Sequence, residues 1–195
     1  MKKLIYNLFV ICVNLVFSIV GIILTFPIMS ILVLLIKLED GGPVIFTQKR
    51  VGRDEKEIKI YKLRSMKVGS DKGNIRWTEQ NDSRITKVGK LIRRTRLDEV
   101  PQLFNVLKGD MNLIGPRPEV PELTYRFNEE IKGFTDRLKI KPGLTGWAQI
   151  NGGYDLTPRD KLKRDMYYID NRNIMLDLKI IAKTFVIILT GSGAR

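Results

Sequence analysis

Asp98-Glu99 is the residue pair whose type and neighbours could do chemistry. Arg93, Arg94 and Arg96 precede it, and Pro101 follows at a spacing tolerated only in the first turn of a helix. A helix is therefore expected to start here, with Asp98 near its N-cap, where unpaired N–H groups and the helix dipole favour negative charge. The plain reading is capping, by Asp98 itself or by Thr95 and Asp98 as a capping box. The surrounding cations ask for more. Arg117 lies between Pro116 and Pro118, which limit its backbone, and its guanidinium suits bidentate phosphate recognition. The chain has no histidine, which removes triads, imidazole bases and HExxH zinc sites, and its one cysteine, Cys12, lies in apolar surroundings and reads as inert. Chemistry is left to carboxylates, Lys and Arg, hydroxyls, backbone amides or a hard metal ion. A carboxylate dyad beside arginines suits phosphoryl transfer, in which an aspartate attacks phosphorus and forms an acyl phosphate. Mg2+ and arginines would offset the phosphate charge.

The elements that must position these residues divide unevenly. Of 195 residues, 34 are basic and 21 acidic, a net charge of +13. Leu4 to Ile36 carries no charge, with only a few polar members, among them Asn14, Ser18, Thr25 and Ser30. An apolar run longer than about 18 residues reads as membrane-embedded. It is too long for a signal-peptide core, and no small-residue cleavage site follows. As a straight helix it would measure about 50 Å, against a hydrocarbon core of about 30 Å. Pro27 favours a kink within it. Lys2 and Lys3 flank one end, and Lys37, Lys49 and Arg50 the other, which favours both ends on the cytoplasmic side. A helix that dips in, bends near Pro27 and returns meets length, kink and charge together; a single tilted span meets length alone. The expected organisation is a membrane helix over 1–37 and a basic catalytic domain over 38–195.

In the second part, Val44–Gln48 and Glu57–Met66 alternate as two arms of a hairpin around a turn at Gly52–Glu55. Residues 69–83 read as loop. Ile85, Val88, Leu91 and Ile92 have helical spacing, and Leu97–Leu107 reads as a further short helix ending at Gly109. Residues 120–133 and 158–170 read as helices, and Lys141–Trp147 as turns. Ile174–Thr190 is apolar but carries Asp177, Lys179 and Lys183, so it reads as an amphipathic helix at the membrane interface or on the core. The fold class is α/β, mostly helical with a small sheet, on a membrane-associated protein. Trp147, Tyr167 and Tyr168 read as packing or interfacial residues, and Asp165 and Asp177 as carboxylates that orient arginines. The positive charge admits a nucleic-acid-binding module, and the apolar run a structural scaffold. Scattered aromatics and the lack of a binding motif speak against the first. The dyad beside fixed arginines speaks against the second.

The stretches GGPVIFTQKRVG, IYKLRSM, TRLDEVPQLFNVLKGDMNLIGPRPE, IKPGLTGWAQING and DMYYIDNRNIMLDLKII resemble the bacterial sugar transferase family, the monotopic phosphoglycosyl transferases, in their minimal form. The resemblance runs from about Leu4 to about Leu189. It implies transfer of a sugar phosphate from a UDP-sugar to polyprenol (undecaprenyl) phosphate at the cytoplasmic face of the bacterial inner membrane, with no nucleic acid as partner. It implies that Asp98 attacks the β-phosphate, expels UMP and carries the sugar phosphate, that Glu99 assists, and that Mg2+ is held at Asp98 and Glu99. Lys62, Arg93 and Arg117 fall on the family's cationic positions, and Pro27 on the bend of a re-entrant helix. The chain departs from the family's pattern at Phe26-Pro27, where relatives often have Ser-Pro, and at Gly153-Tyr154, where they often carry an arginine.

Overall fold

The charge-free segment folds as one helix. The computed structural model describes residues 1–70 and 82–191 and places α1 over Lys2–Asp40, 39 residues or about 58 Å. Gly41 ends it: at φ 70° this glycine takes the left-handed conformation, and its N–H returns to the Lys37 carbonyl. Pro27 has no N–H for the Ile23 carbonyl, yet the helical run continues through it. The nearby Thr25 hydroxyl donates to the Gly21 carbonyl at 2.6 Å.

One face of α1 belongs to the protein core. Val13 and Phe17 pack on a cluster containing Ile114, Ile140, Ile150, Tyr168, Ile180 and Ile181. Further along, Leu32 and Ile36 are buried with Leu63 and Ile92. Each such aliphatic side chain contributes about 1.5–3 kcal/mol when fully buried. The other face leaves Leu8, Leu15, Ile23, Leu24 and Phe26 exposed, and Cys12 is exposed too.

The expected hairpin forms with shifted arms. β1 (Ile45–Val51) pairs antiparallel with β2 (Glu57–Leu63), from Ile45 opposite Leu63 to Val51 opposite Glu57. α2 covers Lys87–Arg94, capped by the Thr86 hydroxyl, which accepts from the Gly89 N–H at 2.9 Å. Ile85 stays outside this helix and bridges to Met66. The expected loop at 69–83 lies mostly outside the described residues.

The single helix expected over Leu97–Leu107 is broken in two. Leu97–Glu99 makes a 3₁₀ turn, and α3 runs from Gln102 to Lys108 with Pro101 at its cap position. Pro101 cannot donate to the Leu97 carbonyl, so the Val100 N–H takes it at 3.3 Å. Asp98 therefore sits in the 3₁₀ turn and not at the N-cap of an α-helix. Nor does Thr95 form a capping box, since its hydroxyl donates back to the Leu91 carbonyl at 2.9 Å. α3 covers the free edge of β2: the Asn105 amide accepts from the Tyr61 N–H at 3.1 Å and donates to the Lys59 carbonyl at 2.7 Å.

A second small sheet appears where turns were expected. β3 (Asn112–Ile114) pairs in parallel with β4 (Gly143–Thr145), held by Asn112 N–H to Pro142 carbonyl at 2.8 Å and Gly115 N–H to Thr145 carbonyl at 2.9 Å. This pairing joins distant segments, which local turn signals do not register. The remaining helices are α4 (Pro121–Glu130), α5 (Trp147–Ile150), α6 (Pro158–Asn171) and α7 (Ile174–Thr190). α7 buries Asp177, Ile180 and Ile181 and exposes Met175, Phe185, Val186 and Leu189. The structure is thus mostly helical with small sheets.

Candidate active site

Three elements converge on the 3₁₀ turn. β2 brings Lys62 at its end, α2 brings Arg93 in its last turn, and the loop after β3 brings Arg117. α2 can approach β2 this closely because Gly89 has no Cβ; one would overlap the Ser65 carbonyl. Arg96 links α2 to the turn in the left-handed conformation, φ 57°, which costs a non-glycine residue roughly 1–2 kcal/mol. That reversal directs the turn back toward β2.

The two dyad residues have different surroundings. The Glu99 side chain is 14% exposed and takes both flanking cations. Lys62 Nζ donates to Oε1 at 2.8 Å, and the Arg117 guanidinium forks onto both carboxylate oxygens, Nη1 to Oε2 at 3.3 Å. Burial raises the Glu99 carboxyl, but the charges of Arg117 and Lys62 outweigh it and hold the group well below the usual glutamate range. Asp98 is buried, and its carboxylate accepts no hydrogen bond among the described residues. Burial pushes the Asp98 carboxyl above the ordinary range; Lys62 pulls it back, the Glu99 charge adds to the rise, and Arg93 and Arg117 oppose it. Arg93 also donates to the Ser65 hydroxyl at 3.3 Å. All five residues singled out for the site, Lys62, Arg93, Asp98, Glu99 and Arg117, are brought together; Pro27 lies in α1.

Behind them stands a frame of buried charge. Arg137 donates to Asp165 Oδ2 from Nε at 2.9 Å and from Nη2 at 2.6 Å, both side chains 1% exposed. The same Nη2 donates to the Arg117 carbonyl at 2.8 Å, and Arg50 donates to the Pro118 carbonyl at 3.1 Å. Glu119, paired with Lys161 at 2.7 Å, accepts with its carbonyl from the Val51 N–H at 2.9 Å. The Pro-Arg-Pro backbone is thus held by hydrogen bonds as well as by its rings. Asp165 orients an arginine, as expected. Asp177 does not: its oxygens accept from Tyr6 and Tyr168, each at 2.9 Å. Trp147 stacks on half-exposed Tyr167 at 5.4 Å. Arg50, Arg137 and Glu119 are framing residues that the sequence does not mark, since Arg50 lies in a strand and Arg137 in a 3₁₀ turn, where charge is ordinarily solvated.

These contacts fit an anionic, phosphate-bearing substrate laid against Lys62, Arg93 and Arg117. Residues 5–191 match the family model described as bacterial sugar transferase. The chain belongs to the bacterial sugar transferase family. A UDP-N-acetylgalactosamine-undecaprenyl-phosphate N-acetylgalactosaminephosphotransferase of Aeromonas hydrophila is 46% identical over 181 residues, 91% of this chain and 43% of that protein. A UDP-glucose:undecaprenyl-phosphate glucose-1-phosphate transferase of Escherichia coli is 43% identical over 168 residues, 84% of this chain and 36% of its own length. A Bacillus subtilis sugar transferase is 41% identical over 161 residues, 82% of this chain and 77% of its own length. The chain thus spans less than half the length of the first two of these sugar transferases.

For a hard cation, the dyad offers the right donors. Among the described residues no group of three or more His, Cys, Asp or Glu converges, so a cation here would rest on Asp98, Glu99, water and substrate phosphate. That donor set fits Mg2+, which keeps several waters and uses one or two carboxylates with phosphates.

Proposed function

We propose that this sugar transferase moves a sugar phosphate from a UDP-sugar to polyprenol phosphate, through a covalent intermediate on Asp98. The carrying observation is the asymmetry of the dyad. Glu99 is neutralised by Lys62 and Arg117, whereas Asp98 keeps its oxygens unengaged by described residues. An Asp98 oxygen attacks the β-phosphorus of the UDP-sugar. The bond from that phosphorus to the bridging oxygen breaks, and UMP leaves with the oxygen and its electron pair. An oxygen of polyprenol phosphate then attacks the same phosphorus, and the Asp98 carboxylate departs. Lys62, Arg93 and Arg117 bind the diphosphate and hold it in line, and Arg137 and Arg50 fix the loop that carries Arg117. Asp98 and Glu99 would hold Mg2+, which when bound offsets negative charge on the phosphates.

The membrane reading is a re-entrant α1 at the cytoplasmic face of the inner membrane. It is supported by where both halves of α1 rest. Tyr6 bonds to Asp177 on α7, Asn14 to Asn112 and the Leu113 N–H, and Asp40 to Arg64 after β2. A helix carrying Tyr6 and Asp40 to opposite sides would draw a charged domain through the bilayer.

The direct test is to incubate enzyme, Mg2+ and labelled UDP-sugar without acceptor, then digest and locate the label by mass spectrometry. The expected result is a sugar-phosphate adduct on the peptide holding Asp98, lost in Asp98→Asn, with UMP released in equal amount. Glycolipid formed with acceptor, but no adduct at any time and intersecting initial-rate lines, would mean direct transfer between bound substrates. Asp98 would then be demoted to a metal ligand.

A further inference from the structure

A second cationic site lies away from the dyad. A cavity of about 420 Å³ opens between the N-terminal half of α1 and the body of the protein. None of Lys62, Arg93, Asp98, Glu99 or Arg117 lines it. Its basic lining residues are Lys3, Arg53, Lys139, Lys141 and Arg172, and its one carboxylate is Asp177. Asp177 accepts from Tyr6 and Tyr168, and its single carboxylate is set against five cations. Arg53 and Lys139 share exposed pairs with Asp54 and Asp136, contacts of small net worth. Lys3, Lys141 and Arg172 make no ion pair among the described residues. Clustered like charge of this kind is unfavourable unless an anion joins it.

The cavity is also lined by apolar side chains, Val10 and Val13 from α1 and Ile114 and Ile140 from the body. A free inorganic anion would answer the cations and leave those side chains uncovered. An amphiphile with an anionic head and an alkyl chain answers both. Lys3 stands at the margin of a charge-free run that continues to Lys37, and basic residues at such a margin sit at headgroup level. The exposed Leu4, Ile5 and Leu8 on the same turns face outward.

We propose that this cavity binds the phosphate headgroup of an anionic glycerophospholipid, as a lipid site separate from the transfer site. The inference rests on the membrane reading above. It makes Lys3, Lys141 and Arg172 headgroup ligands and ties the N-terminal half of α1 to the body through a bound lipid.

The test uses the full chain in a neutral detergent, with melting temperature as readout. Dioctanoyl phosphatidylglycerol is titrated, beside dioctanoyl phosphatidylcholine and inorganic phosphate. Wild type is compared with Lys3→Glu/Lys141→Glu/Arg172→Glu and with a control of equal charge change at exposed positions, Lys90→Glu/Lys132→Glu/Lys163→Glu. The expected result is a saturable rise with phosphatidylglycerol in wild type and control, weakened about tenfold or more in the cavity variant. If the triple variant does not fold, Lys141→Glu against Lys141→Arg gives the same comparison. An equal rise with inorganic phosphate would leave a free-anion site only, and equal weakening in both triple variants would leave net charge only. Displacement of phosphatidylglycerol by a polyprenol phosphate would make the cavity part of the acceptor path. Each of these overturns the proposal. UMP release by the same samples separates the two readings: release with no phosphatidylglycerol effect sinks the lipid site alone, and the lipid effect with no release sinks the transferase reading alone.

Discussion

Arg117 makes the most demanding contact in the site, because its two terminal nitrogens reach the two oxygens of Glu99 together. A lysine keeps the charge and loses the fork. Arg117→Lys should lower the rate of UMP release by about tenfold or more, about 1.4 kcal/mol of barrier, with the fold retained. A wild-type rate would remove Arg117 from the site. Two residues on, Glu119 is buried against Lys161 and near Arg50. Burial raises its carboxyl, but the charges of Lys161 and Arg137 prevail and hold it below the ordinary value of 4.5. A depressed folded-state pKa adds stability above the unfolded value, and that stability is lost as pH falls toward the folded one. The melting temperature of Glu119→Gln should therefore lie below wild type at neutral pH, and the gap should narrow as pH drops below 4.5. A gap independent of pH would show that packing, not charge, is what the substitution removes.

The C-terminal end of α1 is tied to the elements that carry two of the cations. Asp40 pairs with Arg64, which is 7% exposed and also donates to the Ile36 carbonyl at 3.4 Å. Glu39 accepts from the Lys87 N–H at 2.7 Å, placing negative charge at the start of α2. Lys62 lies two residues before Arg64, and Arg93 lies in α2. Asp40→Asn leaves the Arg64 guanidinium without its counter-charge. The loss should be roughly 2 kcal/mol, less than for a fully buried pair because part of Asp40 faces solvent. Glu39→Gln should cost less, about 0.5 kcal/mol, since it weakens only a helix-terminus interaction. Thermal melts in detergent rank the two. An Asp40→Asn protein as stable as wild type would mean that the pair contributes nothing in solution.

At the scale of the whole molecule, the long helix is built into the core along both of its halves and leaves its outer apolar side chains exposed. Single cysteines at Lys3 and Leu38, introduced in a Cys12→Ser background, should react with a membrane-impermeant thiol reagent from the same face. Labelling from opposite faces would show that α1 spans. Pro27→Ala restores the N–H that the Ile23 carbonyl lacks, so it should shift part of the population toward a spanning arrangement. Unchanged same-face labelling in that variant would place the topology in the packing of α1 on the body and not in the proline.

Much of this protein could be read from the order of its residues, because the signals are local. A charge-free run between lysines makes a long helix. The alternation of Val44–Gln48 and Glu57–Met66 makes the hairpin. Asp98-Glu99 among arginines stands out as a candidate site. What the tertiary structure decided depends on contacts between distant segments. The 3₁₀ turn that carries the dyad is held against the end of β2 by Lys62 and against the GPRP loop by Arg117. The β3–β4 pairing joins the GPRP loop to the segment after Lys141. Which carboxylate takes the cations also lies beyond the sequence, since Asp98 and Glu99 are neighbours in the chain. Successive residues of a 3₁₀ turn point roughly 120° apart, so only the placement of Lys62 and Arg117 around that turn decides that Glu99 is clamped and Asp98 is left open.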